Sequence, residues 1–178
     1  MALNISSNLV PEVINDYNVY GQDGLLLIGL ADEITLPKIS SKKTTLSGSG
    51  ILGEIDAPVP GQIESSEMKI KWNHLYSDAA RMMNPNETVQ ITIRAAQQTA
   101  NKEGGVVYKG LRIVCSGHPK EIDLGTLKRG DTMGATTTLE LLTYKVEVDS
   151  QVIFDIDKLG GKYVVNGVDL RAEINALI

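Results

Sequence analysis

Residues 136–148, TTTLELLTYKVEV, restrict the possible folds more than any other segment. They carry uninterrupted strand chemistry, with no glycine or proline. Fully extended, such a run spans roughly 43 Å, longer than most strands in globular domains. The apolar phase changes along it: Leu139 and Leu141 are odd-numbered, whereas Leu142, Tyr144, Val146 and Val148 are even. A one-residue slip moves side chains to the opposite face of a sheet. The strand therefore either carries a bulge or is buried on different faces at its two ends. The second arrangement suits a strand that serves its own core at one end and an interface at the other. Asp149-Ser150 is the following turn, and Val152, Phe154 and Ile156 mark the return strand.

Strand patterning dominates upstream as well. Met68, Ile70 and Trp72 alternate with Glu67, Lys69 and Lys71, and Val89, Ile91, Ile93 and Ala95 alternate with polar neighbours. Residues 106–116 read as the partner of the second run across the turn Asn101–Gly105. Ile122 and Leu124 alternate with Glu121 and Asp123. Residues 74–83 switch to helical spacing (Leu75, Ala79, Met82) and stop at Asn84-Pro85, because the residue before proline disfavours the helical region. After Asn166-Gly167, Leu170, Ile174, Leu177 and Ile178 form one helical stripe. A helix that short is marginal alone, so it is expected to dock on a sheet, and its removal is expected to destabilise the fold. The expected class is mainly β, a sandwich or barrel with one flanking helix, a short C-terminal helix and a long loop or hairpin arm extending to neighbouring subunits, built as a single domain over residues 1–178.

Two segments resist this pattern. Residues 1–20 are polar and irregular and read as an N-terminal arm. Residues 38–66 form an extended segment with a Gly-Ser-Gly centre and Pro58 and Pro60. A loop that long inside a compact domain is usually functional or disordered. Its apolar residues Leu46, Ile51, Leu52, Ile55 and Val59 suggest packing against a neighbouring subunit, since exposed apolar patches mark interaction surfaces.

The 178-residue chain carries 17 Lys and Arg against 22 Asp and Glu, a formal charge of −5. Its basic residues are scattered, which argues against binding nucleic acid through phosphate neutralisation. Cys115 is the single cysteine, so no intrachain disulfide forms, and its apolar context reads as a buried thiol. The N-terminus lacks the features of a signal peptide, and no apolar run approaches the ~20 residues of a membrane helix. Synthesis in a reducing cytoplasm is expected.

No catalytic, metal or cofactor site is expected. Gly48–Gly53 matches G-x-G-x-x-G in letters, but Asp56-Ala57-Pro58-Val59-Pro60 follows where a phosphate-binding helix would have to begin. Asp155 and Asp157 share a strand face and read as solvated or ion-paired. His74 and His118 have no partners at ligand spacing, and no nucleophile–base pair stands out.

Several segments together resemble the major tube proteins of contractile tails, shared by P2-like phages and R-type tail-like bacteriocins. They are Asn18-Val19-Tyr20, Ile34-Thr35-Leu36-Pro37-Lys38, Asp56-Ala57-Pro58-Val59, and Lys120-Glu121-Ile122-Asp123 with Gly125 and Lys128-Arg129-Gly130. The likeness is strongest at Tyr144–Asp149, Asp155-Ile156-Asp157 and Val165-Asn166-Gly167-Val168-Asp169. Departures are Ser150 in place of a turn glycine and the longer stretch between Ser47 and Ser66. The resemblance implies a non-enzymatic subunit of hexameric rings that stack into a hollow tube, conducting DNA or an effector. The implied partners are other copies of itself, a surrounding sheath protein, baseplate or initiator and terminator proteins, and DNA passing without specific binding. The implied location is a virion tail or tail-like particle. The expected interface comprises Leu46, Ser47, Gly48, Ser49, Gly50, Ile51, Leu52, Ile55, Pro58 and Val59. Glu64 and Glu67 are candidate lumen residues, whose charge would repel DNA. The alternatives are a ring-forming secretion-system tube protein of related fold and a monomeric β-barrel binding module.

Overall fold

The computed structural model describes residues 9–22, 24, 26, 30–75, 82, 84–101 and 104–178. The chain is mainly β. In chain order the strands are β1 (Leu9–Tyr20), β2 (Leu30–Thr35), β3 (Ser41–Leu46), β4 (Ile55–Ile63), β5 (Glu67–Trp72), β6 (Val89–Asn101), β7 (Val106–Asp123), β8 (Ala135–Val148), β9 (Gln151–Asp157), β10 (Lys162–Val165) and β11 (Val168–Asp169). They precede a short helix, α1 (Ala172–Asn175). Nine strands form one sheet in the order β1-β6-β7-β8-β9-β10-β11, with β2 and β5 branching from β8; β3 and β4 form a separate two-stranded sheet.

The branch lies where the long strand changes phase. Ser116 pairs with Thr143 and Gly117 with Leu141, so Leu142 is an extra residue on β8. This is the bulge alternative, and it reconciles the two phases: Leu139 and Leu141 before it and Tyr144 after it are all buried. The same point forks the sheet. β7 borders β8 along one edge; on the other, β5 pairs with residues 135–140 and β9 with residues 143–148. The Leu141 N–H donates to the Ser66 carbonyl at 2.9 Å, and the Leu142 carbonyl accepts the Lys158 N–H at 3.0 Å. The backbone groups at the fork are thereby satisfied.

The fork lets the β5 limb fold over the face of β6, β7 and β8. Register places Met68 opposite Leu139, yet its Sδ lies 3.6 Å from Cys115 Sγ on β7. Met68, Ile70, Trp72, Ile91, Ile113, Leu139 and Leu141 form the centre of the core. Burial pushes the Cys115 thiol up to about 12. Trp72 donates its Nε1–H to the buried Thr137 hydroxyl at 3.0 Å.

Three expectations change. The irregular N-terminal arm is a strand from Leu9 onward, paired with β6; bulges at Pro11/Val13 and Ile14/Asp16 break the period-two pattern that would have revealed it. Pro11 is tolerated because β1 is an edge strand of the sheet path. The expected strands at 106–116 and 121–124 are one strand, β7, which runs through Pro119 by bulging out Lys120. The C-terminal helix is a single short turn that buries no residue, with Leu177 and Ile178 86% and 91% exposed. Of its apolar stripe, Ile174 sets its Cδ1 beside Gly61 of β4, but no member of the stripe is buried. The expected helix at 74–83 falls mostly on 76–81 and 83, outside the described residues, although Met82 is buried in the core.

Candidate assembly surface

The extended segment after β2 is a hairpin arm. β3 pairs antiparallel with β4, from Leu46 opposite Ile55 down to Ser41 opposite Ile63. Thr45 donates its hydroxyl to Asp56 Oδ1 at 3.1 Å across the pair. Every residue of β3 is exposed, and this explains why no amphipathic pattern announced it. Both strands have a free edge, so Pro58 and Pro60 interrupt no continuing ladder. Between Ser41 and Lys43 a single β3 residue faces four residues of β4, 59–62, and an irregularity of this kind bends the arm at its base.

The expected interface residues gather at the far end. Ser47, Gly48, Ser49 and Gly50 make the tip turn, where the Ile51 N–H donates to the Gly48 carbonyl at 3.1 Å. Gly50 and Gly53 have φ of 91° and 94°, a region other residues rarely occupy. Leu46, Ile51, Leu52 and Ile55 stand exposed around this turn. Pro58 is exposed farther down the arm, while Val59 is half-buried. The base is held by Ile39 and Ile63, which pack against the core, and by the Glu64 N–H bonded to the Ser40 carbonyl at 2.9 Å.

Glu64 and Glu67 prove unlike one another. Glu64 is exposed at the arm base. Glu67 is half-buried on β5 and ion-paired with bulged Lys120. That hydrogen bond also holds the Lys120 ammonium above its usual range, and it neutralises the charge Glu67 would otherwise present.

Asp155 is paired with Lys162 at 2.5 Å, and Asp157 Oδ1 accepts the N–H groups of Leu159 and Gly160 at 3.0 and 2.8 Å. Both carboxylates are thus committed to the β9–β10 hairpin. Among the described residues, no three His, Cys, Asp or Glu side chains gather as a metal set. The polar sheet face carries further paired charge: Glu147 accepts from Arg112 at 3.1 Å and from Lys145 at 2.7 Å.

Two further apolar surfaces are exposed; the first escaped the sequence reading, and the second holds part of the expected C-terminal stripe. Where β1, β6 and β7 extend beyond the core, Val10, Val13, Ile14, Val106, Val107 and Tyr108 are exposed. Consecutive Val106-Val107 was the available signal, since neighbours on a strand face opposite sides. The other surface lies at the C-terminus, around Leu159, Leu170, Leu177 and Ile178.

The sequence matches the family described as phage tail tube protein FII over residues 11–178. The chain belongs to that family. Among curated proteins, this tail tube family member is similar to the tail tube protein of Escherichia phage P2, with 24% identity over 163 residues covering 90% of this chain and 92% of the other. A looser likeness joins it to a chain in the six-fold-symmetrised cryo-EM structure of the anti-feeding prophage baseplate. That likeness has 12% identity, covers 83% of this chain and 96% of the other, and has a TM-score of 0.42. For a tail tube family member, the projecting arm is the feature of greatest interest.

Proposed function

We propose that this chain is a non-enzymatic structural subunit of a tail tube, assembling into hexameric rings that stack around a hollow lumen. The observation that carries the reading is the arm. Among the described residues its two strands belong to no other sheet, and nothing covers its apolar tip. Exposed apolar surface of this kind marks an interface. The outer edges of β1 and β2 add unpaired backbone that a neighbouring subunit could cover, which is how ring assemblies avoid open edges. Head-to-tail contacts of this sort close into rings when the rotation permits.

In this reading residues 1–178 act as one tail tube domain, and residues 38–66 make the subunit contacts through Leu46–Leu52, Ile55, Pro58 and Val59. The tube conducts DNA or an effector within a virion tail or tail-like particle. It binds a sheath outside and baseplate and terminator proteins at its ends. Of the two lumen candidates, Glu64 would present free charge to DNA and Glu67 would not.

Negative-stain electron microscopy of the purified chain at high concentration, with light scattering, tests this. Tubes or stacked six-fold rings with a central hole are expected. Rings that never stack would favour the secretion-system alternative. A chain that stays monomeric, even with an initiating complex, would overturn the assembly reading in favour of a binding module.

A further inference from the structure

Arg171 is unusually placed for a charged side chain. It precedes α1, and its stem lies across the arm base: a Cβ on Gly61 would sit 2.8 Å from Arg171 Cγ and 3.3 Å from Ile174 Cδ1. Gly161 lies beneath the head group, where an added Cβ would be 3.6 Å from Cζ. Two glycines, both at positive φ, therefore make the space in which the side chain rests. Its Nε is buried without a hydrogen-bond partner. Among the described residues the guanidinium makes no ion pair, although other cations of the chain have found carboxylates. A buried, unpaired donor on a charged group is costly; with Nε closed off, an acceptor from outside can meet the guanidinium only at its terminal nitrogens.

The surroundings suggest what supplies it. Leu170 is the residue before Arg171, Leu159 stands two residues from Gly161, and Leu177 follows α1; all three are exposed. An arginine with exposed apolar residues beside it in the chain has the composition of an interface hot spot. The complementary composition occurs on the same chain at the arm tip: exposed Leu46, Ile51 and Leu52 beside Glu54, an exposed acid with no side-chain bond. The tip cannot fold back onto its own base. The strand path from Glu54 to Gly61 runs roughly 24 Å, and reversing it would unpair β3 from β4.

We propose that Arg171 is the socket for the arm tip of a second copy of this chain. Its guanidinium takes the Glu54 carboxylate, while Leu46, Ile51 and Leu52 cover Leu159, Leu170 and Leu177. The inference rests on the tube reading and deepens it by naming where the arm lands. Such a contact joins unlike surfaces, tip to base, so it repeats from copy to copy.

A charge swap tests it. Arg171→Glu and Glu54→Arg are made singly and together, and assembly is followed by light scattering and electron microscopy. Circular dichroism and thermal melting of dilute protein check each fold. Each single variant should raise the concentration needed for assembly by about tenfold or more, and the double swap should recover most of that loss. Should Arg171→Glu fail to fold, Arg171→Gln and Glu54→Gln serve instead, with Glu54→Arg retained as the reversal at an exposed position. As a second readout, a short bismaleimide cross-linker, which alkylates two thiols across a spacer of about 8–10 Å where a disulfide could not reach, should join the chain carrying both Glu54→Cys and Arg171→Cys into a ladder of covalent oligomers, absent from either single cysteine variant. Buried Cys115 does not compete. A wild-type chain that never assembles overturns the tube reading and the socket together. A wild-type chain that assembles, with folded single variants that assemble equally well, overturns the socket alone. Losses that the double swap does not recover, without a cross-linked ladder, also overturn it.

Discussion

Gly117 is the position at which a single methyl group should do the most harm. It lies on β7 directly opposite the β8 bulge, and the two backbones are closer there than a side chain permits. A Cβ at 117 would sit 2.1 Å from the Glu140 carbonyl oxygen, 2.9 Å from its carbonyl carbon and 3.0 Å from Leu141 Cα. All three are backbone atoms, so no rotamer change relieves the clash. β8 would have to move by about 1 Å at the point where it forks to β5 and β9. Overpacking of this kind costs about 1–3 kcal/mol; with backbone on the opposing side, Gly117→Ala should fall near the upper end, about 3 kcal/mol. For a domain of this size that lowers Tm by roughly 6–12 °C. Gly110 is the matched control on the same strand: its φ is not positive and a Cβ there meets nothing within 4 Å. Gly110→Ala should be neutral or stabilise by about 0.4–1 kcal/mol, through the unfolded chain. Urea unfolding of dilute, unassembled protein measures both. A Gly117→Ala midpoint within about 0.5 kcal/mol of wild type would refute the clash. An equal loss in Gly110→Ala would show that the effect belongs to the strand and not to the fork.

Three further outcomes are expected. Trp72→Phe should cost about 1–2 kcal/mol by leaving the Thr137 hydroxyl unpaired in the core, and Trp72→Phe with Thr137→Val should cost less than the sum of the two; strict additivity in urea unfolding would show that the bond contributes nothing. Burial holds the Cys115 proton up to about pH 12 in the folded chain against an ordinary 9.0, so above pH 9 the unfolded chain loses a proton that the folded chain keeps. Stability is then full below pH 9 and falls as pH rises toward 12, by up to about 1.4 kcal/mol per pH unit. Cys115→Ala should flatten that slope, and parallel profiles in the two chains would contradict it. Deleting residues 172–178 should change monomer stability by less than about 1 kcal/mol, because α1 buries no residue; a loss of several kcal/mol in thermal or urea unfolding would return the helix to a closing role.

Much of the main sheet was legible because burial on one face writes itself as alternation. Met68, Ile70 and Trp72, and Ile91 with Ile93, are buried as their spacing indicated. β1 was not legible, since two bulges shift its phase, and neither was the length of β7, since Pro119 looks like a terminator until a bulge accommodates it. On the candidate surface, the apolar residues of the arm and its form as a long loop or hairpin could be read from sequence, but the bounds and register of its strands could not. Every residue of β3 is exposed and β4 alternates only between exposed and half-buried residues, so neither strand has a fully buried face to leave a strong pattern. The C-terminal stripe misled for the opposite reason: Leu170, Ile174 and Leu177 have helical spacing, yet spacing cannot say whether the surface they would cover belongs to this chain.

By itself the amino-acid order determined the strand-rich class, the phase conflict in β8 and the family to which the chain belongs. These follow from local alternation and from ordered short segments, information carried by neighbours in the chain. Only the tertiary structure decided how the phase conflict resolves, because a bulge at Leu142 is defined by its pairing with Ser116 and Gly117, some twenty-five residues away. It alone brought Arg171 over Gly61 and ion-paired Glu67 with Lys120. Each is a meeting of residues distant in sequence, and no local periodicity encodes which distant partner a side chain will meet.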